Sequence, residues 1–122
     1  MKYSVVFSSK TGNTQQLANA ITSLLPESDL IYFGPPSECA LQADRFYIGF
    51  WTDKGHCNAE IADFLKHLKG KDIFLFGTAG FGGSAEYFKK ILTAVEKYID
   101  SSNTVIGSYM CQGRMPQSVR ER

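Results

Sequence analysis

The sequence lacks the features that mark secreted, membrane and nucleic-acid-binding proteins. Its three cysteines are an odd number with no CxxC spacing, which argues against a disulfide scaffold or a zinc site. No apolar run approaches the ~20 residues of a spanning helix, and the N-terminal segment turns polar too soon for a signal peptide. The 13 Lys and Arg are interspersed with 12 Asp and Glu, so the sequence predicts no extended positive surface that would attract nucleic acid or anionic membranes. We therefore expect a cytoplasmic protein that binds neither nucleic acid nor membranes.

The overall amino-acid composition is that of an ordinary globular protein. Hydrophobic residues make up 43% of the chain and charged residues 20%, which argues against disorder. A division of the 122 residues into two domains would leave each half too short to bury a useful core. We therefore expect residues 1–122 to form a single domain.

Two kinds of apolar pattern alternate along the chain. Short runs rich in Val, Ile and Phe predict nearly continuously buried strands at 2–8, 45–50, 72–77 and 104–110, with a weaker strand at 29–33. Apolar residues spaced three or four apart predict three helices between the strands. Their buried faces are Leu17, Ile21, Leu24 and Leu25; Ile61, Phe64, Leu65 and Leu68; and Phe88, Ile91, Leu92, Val95 and Ile99.

This alternation of strands and helices indicates an α/β fold. We predict a three-layer sandwich around a doubly wound, five-stranded parallel sheet with right-handed crossovers. The connection 34–44 is too short for a long helix and has room for one or two helical turns. After Met110 the chain only begins a further helix, at SVRER.

The first strand-to-helix loop has the composition of a phosphate site. Ligands of open parallel sheets bind beyond the carboxyl ends of the strands, which is where residues 8–14 lie. Hydroxyls of Ser9, Thr11 and Thr14 and N–H groups near Gly12 form a cradle at the positive end of the following helix. The alternative is a cluster of helix-capping residues, since Ser, Thr and Asn favour helix starts.

The segment SKTGNT resembles the FMN-phosphate loop of flavodoxins, whose pattern is Ser/Thr-x-Thr-Gly-Asn-Thr. The matching positions are Ser9, Thr11, Gly12, Asn13 and Thr14, with Lys10 at the free position. The layout agrees with a flavodoxin from residue 1 to about 113. The resemblance implies strand order 2-1-3-4-5, noncovalent FMN, one-electron transfer and redox partner proteins. More narrowly, the chain resembles the short flavodoxin-like proteins of anaerobes, some associated with bilin-reducing enzymes.

Two further loops stand where a flavodoxin holds the flavin ring. Residues 50–58 contain the only tryptophan, Trp51, which either stacks on the ring or closes the top of the core. The glycine-rich residues 78–84 let backbone N–H groups approach the ring edge. A dinucleotide fingerprint also fits this loop formally, but too few residues follow it to complete a dinucleotide fold. The candidate ring-site residues are Trp51, Thr52, Asp53, Lys54, Gly55, Thr78, Ala79, Gly80, Phe81 and Gly82.

These features together predict an FMN-binding electron carrier rather than an enzyme that converts a substrate. An NAD(P)H-dependent FMN or quinone reductase is the alternative, and a cofactor-free interaction domain is a third possibility. A flavodoxin normally ends with a helix over the same sheet face as its first helix, and here the sequence SVRER only begins such a helix. We therefore expect either a longer protein or a homodimer that covers this face.

Overall fold

The computed structural model describes residues 2–8, 12–53, 56–79 and 85–112. Within these residues six strands and three α-helices follow one another, with two 3-10 helices, Glu27–Asp29 and Glu38–Gln42. The elements are β1 (Tyr3–Phe7), α1 (Asn13–Thr22), β2 (Leu30–Gly34), β3 (Arg45–Asp53), β4 (His56–Cys57), α2 (Ala59–Lys66), β5 (Asp72–Ala79), α3 (Ala85–Glu96) and β6 (Thr104–Gln112).

Five of the strands form one parallel sheet in the order β2-β1-β3-β5-β6. Counted along the parallel strands alone, this is the predicted order 2-1-3-4-5, so the predicted fold is confirmed. The two-residue β4 lies off this path and pairs antiparallel with the end of β3. The short 3-10 helix Glu38–Gln42 occupies the connection 34–44, as its length required.

The sheet divides the core into two halves. Successive residues of a strand point to opposite faces, so Phe46, Ile48 and Phe50 of β3 pack with α2 and α3. Tyr47, between them, packs on the other face with β1 and α1. Every residue of β1 is buried, because β1 has a strand on each side and helices on both faces of its sheet.

One strand prediction is wrong about burial. The run 104–110 is a strand, as expected, but Val105, Ile106 and Tyr109 are 36%, 41% and 51% exposed. The physical reason is that β6 is an outer strand with a sheet neighbour on one side only. The predicted ends are also too early, since β3 continues to Asp53 and β5 to Ala79.

The helix predictions differ from the structure at the carboxyl ends. The first helix ends at Thr22, and Leu24, predicted on its buried face, is 85% exposed in the turn that follows. Leu68 and Ile99 lie just past α2 and α3, but their side chains still contribute to the core. Within the described residues, no helix combines the length and the apolar character required to cross a membrane.

Candidate functional site

The start of α1, the end of β3 with β4, and the end of β5 meet at the carboxyl edge of the sheet. Thr14 of α1 contacts both the Phe50 carbonyl of β3 and the Thr78 hydroxyl of β5. The structure thus brings together the described ends of the three segments that the sequence assigned to one site. Among the predicted residues, Gly12, Thr14, Trp51, Thr52 and Thr78 are described in full, and Asn13, Asp53 and Ala79 in their backbone only. Predicted residues outside the described part are Ser9, Lys10, Thr11, Lys54, Gly55, Gly80, Phe81 and Gly82.

The amino end of α1 has the properties of an anion site. Gly12 stands at the N-cap with φ of 90°, a left-handed conformation that favours glycine, and its carbonyl accepts the first helical hydrogen bond, from Gln16 N–H at 3.0 Å. A Cβ at Gly12 would meet no atom of the described residues within 4 Å. The first turn carries no acidic side chain, and no side chain of the described residues caps it. The helix dipole therefore favours an anion here.

Thr14 uses its hydroxyl inside the protein. The residue is 1% exposed, and its Oγ1 donates to the Phe50 carbonyl at 3.3 Å and lies 3.1 Å from Thr78 Oγ1. The prediction from the sequence placed this hydroxyl in the phosphate cradle. Sequence reasoning missed the two internal partners because they lie 36 and 64 residues away along the chain.

Trp51 begins a hairpin rather than a loop. Thr52 pairs with Cys57 and Asp53 with His56, so that only residues 54 and 55 join the two strands. Asn58 closes the base of this hairpin in both directions. Its N–H donates to the Trp51 carbonyl at 3.2 Å, and its Oδ1 accepts from Trp51 N–H at 3.4 Å.

Asn58 is the site residue that sequence reasoning missed. It occupies the N-cap position of α2 and is 4% exposed, but its side chain makes no cap hydrogen bond. The only signal in the sequence was an Asn before a helical pattern, which predicts capping. The Asn58 side chain binds β3 instead, because the strand extends to Asp53 and so places the Trp51 N–H beside Asn58 Oδ1.

The end of β3 offers two groups to a ligand. Trp51 is half-buried, so its side chain is neither fully part of the core nor fully in solvent. Thr52 Oγ1 is buried without a hydrogen-bond partner among the described residues. A buried hydroxyl without a partner costs ~1–3 kcal/mol, which a ligand atom can recover.

These observations fit a phosphorylated, planar ligand. The helix end, with its left-handed glycine and no acidic residue in the first turn, suits a phosphate. The half-buried Trp51 suits an aromatic ring, and the Thr52 hydroxyl suits a polar ring atom. Within residues 2–8, 12–53, 56–79 and 85–112, no three His, Cys, Asp or Glu side chains are grouped so that they could hold a metal ion.

A family model described as "Flavodoxin domain" matches residues 4–122. The chain belongs to the flavodoxin family. It is 41% identical, over 139 residues, to the "Flavodoxin-like domain-containing protein BilS" of Clostridium symbiosum (strain WAL-14163), with all of this chain and 73% of that protein covered. The protein of the same description from Clostridioides difficile (strain CD3) is 31% identical over 129 residues, covering all of this chain and 72% of the relative.

Solved flavodoxin structures have the same fold. The Streptococcus pneumoniae TIGR4 flavodoxin superposes with a TM-score of 0.69 at 20% identity, covering 100% of this chain and 92% of that one. A flavoprotein from Lactobacillus acidophilus NCFM, solved in complex with FMN, has a TM-score of 0.66 at 16% identity and covers 89% of this chain and 92% of its own. At these identities the likeness concerns the fold.

Proposed function

We propose that this flavodoxin-family chain binds FMN noncovalently and carries electrons between redox partner proteins. The observation that carries the proposal is the amino end of α1, which begins at a left-handed Gly12, has no acidic residue in its first turn and lies beside the hairpin that bears the only tryptophan. Support also comes from the family, and from the FMN in the Lactobacillus acidophilus flavoprotein that shares this fold.

Each segment of the site has one task in this proposal. Residues 9–14 hold the phosphate, mainly through backbone N–H groups at the helix end. The segment from Trp51 to Gly55 flanks the ring, and Thr78 to Gly82 border the ring's polar edge. When bound, FMN supplies the redox chemistry, and the chain binds it, orients it and excludes water.

FMN binding is tested by titrating the apoprotein with FMN and with riboflavin, which lacks the phosphate. We expect FMN to bind more tightly, because hydrogen bonds to a charged group contribute ~1.5–3 kcal/mol each. Equal affinities would remove the phosphate assignment. Absence of binding by either flavin would contradict the proposed function and favour a cofactor-free interaction domain.

Gly12→Ala tests the phosphate site against a matched control. Gly12 and Gly70 both have positive φ, 90° and 65°, and at both positions a Cβ would meet no atom of the described residues within 4 Å. The two alanine variants therefore suffer similar backbone strain, ~1–2 kcal/mol. Gly70 precedes β5, at the opposite edge of the sheet from the site. We expect Gly12→Ala to weaken FMN about tenfold or more and Gly70→Ala to leave FMN affinity unchanged.

The carrier is distinguished from an NAD(P)H-dependent FMN or quinone reductase by one assay. The FMN-loaded protein is mixed with NADH or NADPH without any added reductase, and flavin absorbance is followed. A carrier stays oxidised until an external reductase or dithionite is added. Rapid flavin reduction by NADH or NADPH alone would favour the reductase.

A further inference from the structure

Asn58 takes the place of a sheet neighbour at the end of β3. The pairing of β1 with β3 ends at Phe7 and Gly49, and the Gly49 carbonyl accepts from Ser8 N–H at 3.1 Å. Backbone groups of a strand point alternately to its two sides, so Trp51, two residues beyond Gly49, turns its N–H and carbonyl to that same side. Asn58 binds both groups there, through its N–H at 3.2 Å and its Oδ1 at 3.4 Å. Asn58 therefore extends the hydrogen bonding of the sheet past the end of β1.

The same residue fixes the start of α2. Its carbonyl accepts from the N–H groups of Ile61 and Ala62, both at 3.1 Å, while its side chain makes no cap hydrogen bond. Ile61 is fully buried in the core beneath α2, and Asn58 itself is 4% exposed. The packing of α2 thus determines where Asn58 lies, and Asn58 in turn ties the end of β3 to that helix.

The hairpin beyond Trp51 depends on this connection for its orientation. Its strands share only two residue pairs, Thr52 with Cys57 and Asp53 with His56. A two-stranded hairpin by itself is marginally stable in water, so the contacts at its base decide how firmly it is held. Cys57 is buried and anchors the returning strand. The outgoing strand is held at the base by the two hydrogen bonds with Asn58, one of which uses the side chain.

We propose that Asn58 is a positioning residue for the ring site, whose side-chain oxygen holds Trp51 and with it the hairpin that flanks the flavin ring. It acts through the hairpin and is not itself a ligand of the flavin. The part of the proposal that concerns flavin rests on the proposed function, but the positioning of Trp51 does not. The competing interpretation is an ordinary helix cap, whose loss would weaken α2 without a specific effect on Trp51.

Three variants separate these two roles. Asn58→Ala removes the acceptor and keeps the backbone N–H that binds the Trp51 carbonyl. Asn58→Asp keeps an oxygen at the same place, at a helix start where the dipole favours a negative charge. Ser37→Ala is the matched control, because Ser37 is the N-cap of the 3-10 helix Glu38–Gln42 and its Oγ does cap that helix, accepting from Cys39 N–H at 3.2 Å.

Acrylamide quenching of the apoprotein measures the position of Trp51 without any ligand, because Trp51 is the only tryptophan. We expect stronger quenching in Asn58→Ala than in the wild type, and wild-type quenching in Asn58→Asp and Ser37→Ala. Unchanged quenching in Asn58→Ala would overturn the proposal, whether or not the protein binds flavin. An equal increase in Ser37→Ala would also overturn it, since the effect would then follow from the loss of any cap.

Flavin titrations of Asn58→Ala form the second readout. FMN and riboflavin should weaken by the same factor, about tenfold, with the ratio of the two dissociation constants unchanged. A loss confined to FMN would place the effect at the phosphate and contradict the role at the ring, as would unchanged affinity for both flavins. If the wild type binds no flavin, the proposed function fails, and the quenching experiment still decides the positioning of Trp51.

Asn58→Ser serves as the second variant if Asn58→Ala does not fold. Serine is as good a helix cap as asparagine, but its hydroxyl ends one bond short of the position of Asn58 Oδ1. The start of α2 is therefore preserved while the bond to Trp51 N–H is lost. We expect increased quenching of Trp51 in this variant, with equal losses for the two flavins. Wild-type quenching in a folded Asn58→Ser protein would show that Asn58 acts as a cap and would overturn the proposal.

Discussion

At the scale of single residues, burial separates Cys39 from Cys57. Cys39 is exposed on the 3-10 helix before β3, whereas Cys57, in strand β4 of the hairpin, is fully buried. Burial raises the pKa of the Cys57 thiol from 9.0 to about 11. The thiolate is the reactive form of cysteine, so Cys57 is protected twice, by its position and by its charge state.

Alkylation under native conditions should therefore label Cys39 and spare Cys57. Brief treatment with iodoacetamide in mildly alkaline buffer, followed by peptide mass mapping, measures the modified fraction of each residue. Both cysteines should react after unfolding in urea, which serves as the control. Equal labelling of the two in the folded protein would contradict the burial of Cys57.

Asp100 gives a second expectation at this scale. Hydrogen bonds from Ser102, including one from its N–H at 3.0 Å, and the neighbouring Lys69 at 3.1 Å lower the pKa of the Asp100 carboxyl from 3.8 to about 2. A carboxyl whose pKa is lower in the folded state stabilises the fold fully above its unfolded pKa and loses this effect as the pH falls.

Urea unfolding of the wild type and Asp100→Asn at several pH values measures this contribution. The wild type should have the higher free energy of unfolding, and its advantage over Asp100→Asn should be largest above pH 3.8, the usual pKa of the carboxyl. That contribution should decline as the pH falls from 3.8 towards 2, where both states become protonated. A difference that does not vary with pH would show that the Ser102 bonds are not made in solution.

At the scale of elements, glycines let aromatic rings lie on the central strands. A Cβ at Gly49 of β3 would stand 2.3 Å from Phe76 Cε2 and 2.9 Å from Phe7 Cβ, and both of those side chains are buried. Gly107 of β6 is a matched position, where a Cβ would stand 2.9 Å from the ring of the partly buried Phe74. The cost of a methyl group at each position depends on whether the ring above it can move.

We expect Gly49→Ala to lower the free energy of unfolding by ~1–3 kcal/mol, the usual cost of overpacking a core. Gly107→Ala should cost less, because Phe74 lies beside the outer strand and can shift towards solvent. Urea denaturation of the two variants gives the comparison directly. If Gly107→Ala lowered the free energy of unfolding as much as Gly49→Ala, the outer strand β6 would be packed as tightly as the central strand β3.

At the scale of the whole molecule, the two faces of the sheet are covered differently. α2 and α3 pack on one face and α1 on the other. Tyr109 stands opposite Phe76 in the register of β5 and β6, so it points to the α1 face, where it is 51% exposed. Val105 and Ile106 of the same outer strand are also exposed, and a contiguous apolar patch, unlike a single exposed side chain, marks an interaction surface.

We propose that this surface pairs two copies of the chain, so that Tyr109→Lys shifts the protein towards the monomer. Leu24→Lys is the control, since Leu24 is 85% exposed but lies in the turn after α1, away from β6. Sedimentation velocity over a range of protein concentrations measures the change. A wild type that remains monomeric at every concentration would exclude the homodimer.

The sequence by itself determined the architecture of this protein. The apolar runs that became β1, β3 and β5 alternate with helical patterns, and this order indicates a parallel sheet with helices on its faces. The TGNT segment was assigned to the first strand-to-helix loop, and Gly12 stands there in the left-handed conformation at the start of α1. Its role towards a phosphate, and that of the residues outside the described part, stays a prediction.

Only the tertiary structure decided which apolar residues remain exposed and which polar groups meet. Val105, Ile106 and Tyr109 are as apolar as the residues of the central strands, but burial depends on neighbours, and β6 has a strand on one side only. The hydrogen bond between Trp51 and Asn58 joins residues 7 positions apart, and the one between Thr14 and Thr78 joins residues 64 positions apart. Hydrogen bonds of this kind leave no periodic pattern, because they arise only when the packing of the sheet brings the two groups into contact.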